Sequence, residues 1–291
     1  MTTSDTRVLF SEDTWLPLAA NHADAYQSAD PFPHVVLDDF LPDDVAQQLV
    51  AEFPGPDAIE WLRFKDSTGV KLAANRLPLV PPVIREVLLA FNSAPFIAFL
   101  ERLTGIDGLI PDPWYVGGGM HQISRGGFLK IHADFNRHEQ LRLDRRINVL
   151  LYLNPDWQND YGGNLELWNR DMSSAVVSTS PVLNRCVIFN TTDVAFHGHP
   201  DPLNCPEGLT RKSLALYYYS NGRPDEEVAE SHSTLYHHRP DEQRHVSSAG
   251  YRFRRLTSRV VGKLGVLAGV PSRWLQTVSE KINPDPFAGD R

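Results

Sequence analysis

Residues 1–32 show little periodicity, and the first ordered pattern is the apolar run HVVLDDF, His34 to Phe40, which predicts a buried strand. A helix should follow at once. Pro42 suits a first helical turn, Asp43 and Asp44 suit the positive end of a helix dipole, and Val45, Leu49, Val50 and Phe53 form one apolar face. The triplet Pro54–Gly55–Pro56 stops it. From Pro82 to about Leu103, Val83, Val87, Leu88, Phe91, Phe96, Phe99, Leu100 and Leu103 recur at helical spacing, with a break expected at Pro95.

From Gly117 the texture changes to short apolar or alternating runs separated by Gly, Pro and Asn. The predicted strands are Met120–Ile123, Leu129–His132, Ile147–Leu153, Asn164–Trp168, Ala175–Val177, Arg185–Phe189, Ala195–His197 and Ser213–Tyr219, a spacing that suggests an all-β sandwich or barrel. The helices read as the support of its sheet. After Pro224 the chain turns charged and His-rich, then enters a basic segment, Tyr251 to Ile282. There Leu256, Val260, Leu264, Leu267 and, beyond Pro271, Trp274, Leu275 and Val278 permit two short amphipathic helices. The expected organisation is a mainly β domain with supporting helices over 1–225, its β core beginning near 117, then a polar linker and a basic amphipathic helical tail over 226–291.

Composition narrows the class. With 42% hydrophobic and 22% charged residues in 291, the chain is ordinary globular material rather than a disordered or low-complexity polymer. No run approaches the ~20 apolar residues of a membrane span, and Asp5, Arg7, Glu12 and Asp13 sit where a signal peptide would need an apolar core. A cytoplasmic location is the expectation. Cys186 and Cys205 lack CxxC spacing and are expected as reduced thiols. The net charge of −8 discourages nucleic-acid binding as a main role, since the phosphates demand an excess of Lys and Arg. Residues 251–291 depart from this, with eight basic against three acidic residues. That tail either meets an anionic partner or packs as an amphipathic helix on its own domain.

The chemistry-bearing letters are His132 and Asp134 at the end of one predicted strand, His197 far downstream, and Arg211 fourteen residues later. Residues i and i+2 of a strand share a face, so His132 and Asp134 can offer a nitrogen and a carboxylate oxygen to one point. A second histidine from a distant strand completes a facial triad, which leaves three metal positions open, as non-haem Fe(II) oxygenases require. On the strand RKSLALYYY, Arg211, Ser213, Ala215, Tyr217 and Tyr219 share one face. A planar guanidinium there is a bidentate clamp for a carboxylate, with the Ser213 hydroxyl beside it. The implied ligand is a dicarboxylate.

The ordered motifs FLKIHADFN, RRINVLLYLNPDW, YGGNLELW, NRCVIFNT, AFHGHP and RKSLALYYYS resemble the Fe(II)/2-oxoglutarate-dependent oxygenase superfamily, specifically its prolyl 4-hydroxylase-like branch, over about Gly117 to Gly222. The resemblance implies a distorted double-stranded β-helix of the jelly-roll or cupin kind. It implies iron held by His132, Asp134 and His197, and the far carboxylate of 2-oxoglutarate held by Arg211 with Tyr152. Asn148, on the same strand face, and Gln122 are further expected cosubstrate contacts. The activity implied is a dioxygenase reaction in which 2-oxoglutarate is decarboxylated to succinate while an unactivated C–H bond is hydroxylated by dioxygen, with ascorbate as an accessory reductant. Halogenating relatives replace the carboxylate ligand with a small residue, so Asp134 favours hydroxylation. The branch tilts the substrate toward a prolyl or amino-acid-like group, peptidyl or small. A sugar or secondary metabolite is the alternative, and a zinc hydrolase or a catalytically silent β-helix binding module are the rivals from other classes.

Phe135, Asn136 and Arg137, directly after the metal motif, are expected substrate contacts at the mouth of the barrel. His121 and His199 are each alternative ligand candidates, with His197 preferred because His199 falls two residues later in a GHP turn that is commonly structural; His138 reads as a solvated or substrate-facing loop residue, and His232, His237, His238 and His245 as exposed loop histidines without ligand spacing. Tyr217 to Tyr219 read first as a strand signature, and Trp157 and Trp168 as packing. Lys71 and Arg76 read either as part of a lid or as an ordinary surface loop.

Overall fold

The computed structural model describes residues 8–240. Within them lie helices α1 (Glu12–Gln27), α2 (Asp43–Glu52), α3 (Pro82–Phe91) and α4 (Ala94–Thr104). The strands are β1 (His34–Leu37), β2 (Leu62–Lys65), β3 (Val70–Ala74), β4 (Ile110–Pro111), β5 (Gly119–Ser124), β6 (Leu129–Ala133) and β7 (Asp144–Tyr152). They continue with β8 (Leu165–Trp168), β9 (Ala175–Thr179), β10 (Cys186–Asn190), β11 (His197–His199), β12 (Thr210–Ser220) and β13 (Leu235–Tyr236). Seven of the eight strands expected after Gly117 lie close to their expected ranges, and the one expected over Ala195–His197 instead runs His197–His199.

The strands form two antiparallel sheets. The larger runs β1-β10-β7-β12-β5-β3-β2 with β4 against β12, and the smaller runs β13-β6-β11-β8-β9. Side-chain alternation divides each large-sheet strand between two environments. Ile147, Val149 and Leu151 of β7, Leu214, Leu216 and Tyr218 of β12, and Met120 of β5 pack with the helices in the main core. Asn148, Leu150 and Tyr152, with Arg211, Ser213 and Tyr217, turn the other way and line a cavity between the sheets. The mainly β jelly-roll architecture is therefore as the motifs imply, with the helices covering one face of the larger sheet.

That covering is aromatic. Phe10, Trp15, Phe40, Phe91, Phe96 and Phe99 interlock with ring centroids 4.6 to 6.5 Å apart, and burial of each such side chain contributes about 1.5–3 kcal/mol. The long apolar stretch from Pro82 does break, at Asn92 and Ser93 rather than at Pro95. Pro95 sits in the first turn of α4, where its missing N–H is not needed. At the other end Gly105 closes α4 with φ of 72° and donates its N–H to Glu101 O, a conformation that suits glycine. Helix α1 and the β2–β3 hairpin are additions to the expected element list.

The domain boundary moves. Instead of ending at 225, the compact unit that holds the sheets, Met1–Lys65 with Gly69–His237, continues to His237. Backbone pairing causes the extension: Leu235 and Tyr236 of β13 sit opposite Ala133 and His132, and the His237 N–H donates to Ile131 O. The second unit, Asp66–Thr68 with His238 onward, and with it the expected basic tail, lies almost wholly outside the described residues. Among the described residues no single helix is long and apolar enough to cross a membrane. Cys186 and Cys205 are free and buried.

Candidate metal and carboxylate site

His132 and Asp134 lie at the end of β6, and His197 opens β11, whose backbone pairs His197 directly with His132. The two rings face each other with centroids 4.4 Å apart. His132 Nδ1 donates to Lys130 O at 2.8 Å and His197 Nδ1 donates to Ala195 O at 2.9 Å. A carbonyl can only accept, so both rings carry their proton on Nδ1 and present the Nε2 lone pair inward. His132 Nε2 is 3.5 Å from Asp134 Oδ1 and His197 Nε2 is 3.4 Å from Asp134 Oδ2. One donor atom from each residue lies within 4.8 Å of the others, and among the described residues this is the cluster able to hold a metal ion. Two neutral imidazoles and one carboxylate, with no thiolate, fit a divalent iron centre.

Two neighbours keep the carboxylate ionised and oriented. Arg145 Nη2 stands 3.0 Å from Asp134 Oδ2, and Asn148 Nδ2 donates to the same oxygen at 2.7 Å. Asn148 Oδ1 in turn accepts from Arg145 Nε and Nη2. Burial alone would raise the Asp134 carboxyl, but its surroundings, the Arg145 guanidinium foremost, outweigh it and hold it well below the usual range. Burial also pushes His197 down to about 4. The Arg145 guanidinium is fully buried between the faces of Tyr217 and Phe135, 3.5 and 4.4 Å from their centroids.

The end of the cavity away from the triad forms where β12 pairs with β7. Arg211 Nε donates to Gly163 O at 2.7 Å and its Nη2 donates to the Tyr152 hydroxyl at 3.3 Å. Burial raises the Tyr152 hydroxyl above its ordinary value, so it keeps a proton to donate onward. Ser213 lies beside this pair in register with Tyr152. Asn148, near the triad, and Tyr152, near Arg211, are four residues apart on one strand face, which separates their backbones by about 13 Å. His121 and His199 complete the polar lining of a cavity of about 300 Å³. His199 thus lines the site but is not one of the three clustered donors.

Several expected contacts fall elsewhere. Gln122 is not a cavity residue: it shares the helix-facing side of β5 with Met120, its Nε2 donates to Pro54 O, and its Oε1 accepts from Thr210. Strand alternation puts His121 in the cavity instead. Asn136 points to the segment after β12, donating to Glu230 O and accepting from the His232 N–H. Arg137 turns back to Arg142 O and lines a neighbouring surface hollow with Phe135 and His138. Phe135 alone of these three also lines the metal cavity. His138 is buried, not solvated, with Nε2 3.6 Å from Asp112. Trp157 and Trp168 pack in separate apolar clusters, as expected.

Of the two open positions in the hairpin region, Arg76 is an exposed surface residue near Glu60, whereas Lys71 lines the metal cavity. His232 lies 2.9 Å from Asp193, His237 packs on Phe196, and His245 lies outside the described residues. Arg145, Thr234 and Tyr236 line the site without having been expected there. Tyr236 stacks obliquely on His132 at 5.5 Å, placed by the β13 pairing.

Residues 118–219 match a family model, the 2OG-Fe(II) oxygenase superfamily. Over 199 residues the chain is 29% identical to the prolyl 3-hydroxylase OGFOD1 of Mus musculus, a match that covers 65% of this chain and 33% of that protein. The chain therefore matches a third of the length of this curated relative. A Pseudomonas putida prolyl-4-hydroxylase has a similar fold, with a TM-score of 0.50, 21% identity and coverage of 70% of this chain and 100% of its own. So has a prolyl hydroxylase from Trichoplax adhaerens, solved with a hypoxia inducible factor oxygen degradation domain peptide fragment, with a TM-score of 0.53, 17% identity and coverage of 72% and 91%. The family match over residues 118–219, the jelly-roll fold and the His132–Asp134–His197 donor set together support a 2OG-Fe(II) oxygenase, prolyl hydroxylase-like in fold, with iron(II) and 2-oxoglutarate as the cofactors that fit its site.

Proposed function

We propose that the chain hydroxylates a C–H bond of a prolyl or amino-acid-like substrate, with His132, Asp134 and His197 as the iron ligands and Arg211 and Tyr152 as the anchor of 2-oxoglutarate. The observation that carries this reading is that the triad and the Arg211–Tyr152 pair open into one cavity. A zinc hydrolase would leave that second cluster unused. The prolyl 3-hydroxylase relative supports the substrate class.

Iron and 2-oxoglutarate supply the oxidising chemistry when bound: dioxygen is consumed, 2-oxoglutarate becomes succinate and carbon dioxide, and one oxygen atom converts substrate R–H to R–OH. The protein's part is binding and orientation. Arg211 meets the far carboxylate with its guanidinium, and Tyr152 donates its hydroxyl proton to the same group. Ser213 adds a hydroxyl alongside. Asn148 and Arg145 fix the Asp134 carboxylate so that it need not reorganise on binding. Ile123, Leu129, Leu150 and Leu165 wall the cavity with apolar surface and restrict water around the reacting centre.

The test is production of succinate by the iron-loaded protein with 2-oxoglutarate, dioxygen and a panel of proline-containing peptides and free amino acids, followed by mass spectrometry. A substrate that gains the mass of one oxygen while stimulating succinate formation, both lost in His132→Ala, is the expected result. Folded, iron-loaded protein that forms no succinate with any member contradicts the reading.

A further inference from the structure

The charges lining the cavity do not balance. Its cations are Lys71, Arg145 and Arg211, and its one acidic lining residue is Asp134. Arg145 is matched to Asp134 at 3.0 Å. Arg211 is engaged by Gly163 and Tyr152 and stands ready for the far carboxylate of the cosubstrate. Lys71 is half-buried, and its ammonium meets only the face of Phe64, 5.3 Å from the centroid. No hydrogen bond or carboxylate partner reaches it among the described residues. Burial pushes the Lys71 ammonium down from its ordinary value, against the pull of Asp134.

Register fixes where this charge sits. Leu72 pairs with Gln122, which puts Lys71 in line with Ile123, and Ile123 pairs with Arg211. Lys71, Ile123 and Arg211 all line the cavity, so the two cations share a face two strand spacings apart, about 10 Å. Lys71 occupies the outer side of that row. Its hairpin partner Phe64 and the neighbouring Leu62 are exposed by 45% and 51%, which makes them the rim of the cavity. Once iron and 2-oxoglutarate cancel one another, a positive charge with no protein partner stays at the mouth, beside apolar surface.

We infer that Lys71 binds a carboxylate carried by the substrate, so that the enzyme selects a C–H donor with an anionic group close to the oxidised carbon. This rests on the oxygenase reading, which assigns the far carboxylate of 2-oxoglutarate to Arg211 and Tyr152 and leaves Lys71 without a role in holding it. The carboxylate belongs either to the α-carboxyl of a free amino acid or to an acidic side chain next to the target residue in a peptide.

The full-length protein, loaded anaerobically with Fe(II), is first titrated with 2-oxoglutarate by calorimetry. Failure to bind it at this step defeats the oxygenase reading itself, before any probe is added. The loaded protein is then titrated with N-acetyl-L-proline, acetyl-Asp-Pro-amide and the neutral N-acetyl-L-prolinamide. One of the two carboxylate probes is expected to bind at least about tenfold more tightly than the neutral one, and which one does so identifies the source of the carboxylate. Lys71→Met should erase the preference, Lys71→Arg should keep it, and 2-oxoglutarate affinity should be the same in all three proteins. Equal affinity for the probes, absence of measurable binding by all of them, or a preference that survives in Lys71→Met overturns the inference. So does a loss of 2-oxoglutarate affinity in Lys71→Met, which would assign Lys71 to the cosubstrate.

Discussion

Arg145 Nη2 lies 3.0 Å from Asp134 Oδ2, so the carboxylate of the metal cluster is held by a buried arginine that makes no claim on the metal. Asn148 bonds both residues, which turns a pair into a triangle. Outer partners of this kind set ligand orientation, and their loss costs about 10–100-fold in metal affinity. Arg145→Met should weaken Fe(II) binding by that factor, measured by competition with a chromogenic chelator, while the protein still folds at neutral pH. Unchanged affinity would mean that Asp134 is oriented without it.

Arg211 and Tyr152 are predicted to separate in magnitude. Arg211→Ala removes a charged fork from a buried carboxylate site and should weaken 2-oxoglutarate binding by about 2–5 kcal/mol, or roughly 30-fold or more. Tyr152→Phe removes one neutral donor and should cost about 0.5–1.5 kcal/mol. Calorimetry of both variants checks the order, and a larger loss in Tyr152→Phe would contradict the geometry.

Gly198 lies between His197 and His199, and a Cβ there would stand 2.8 Å from the carbonyl oxygens of both Leu129 and Lys130. Backbone cannot swing aside as a flexible side chain does. Lys130 O is also the acceptor that sets the His132 ring. Gly198→Ala should therefore lower both the melting temperature and the metal affinity, read by calorimetry and chelator competition. Retention of full metal affinity would show that β11 can move off β6 without disturbing either histidine.

His121 gives a pH dependence. Burial first, then Lys71, pushes its imidazole well below the ordinary value of 6.5. In the unfolded chain it titrates near 6.5, so below that pH the unfolded state gains a proton that the folded state refuses. Stability of the metal-free protein should be full above about pH 6.5 and fall as pH drops toward the depressed value. His197, pushed to about 4, acts in the same direction. Urea midpoints at pH 7.5 and 5.5 measure the slope, and His121→Gln should flatten it. A midpoint that rises on acidification would contradict the buried neutral imidazole.

The β core was legible because its strands alternate cleanly or are continuously apolar, as in Ile147 to Leu153. Helix α1 was not, since its inward stripe combines Trp15 and Tyr26 with alanine and Pro17 interrupts it. Strand β2 was hidden because all four of its side chains are exposed, leaving no pattern of burial to read. In the site, the grouping of the triad, Arg211 and Ser213 around one cavity was readable from residue type and spacing, whereas Tyr152 was expected there only from the resemblance. Arg145 was not, because Asp144–Arg145–Arg146 looks like a solvated run and only the fold turns Arg145 inward. The Gln122 misplacement was avoidable: Met120 is a natural core residue, so Gln122, two residues on, had to share its face. Asn136 and β13 depend on a long-range pairing that the polar composition of 226–237 does not announce.

The proposed function stands on one cavity holding iron at the triad and 2-oxoglutarate between the triad and Arg211. Its most direct test is the visible spectrum of the anaerobic Fe(II)-loaded protein as 2-oxoglutarate is added. A weak charge-transfer band is expected in the wild type, absent in Asp134→Ala and weakened in Arg211→Ala. Folded, iron-loaded wild-type protein that develops no band, or a band of undiminished strength in both variants, would contradict it.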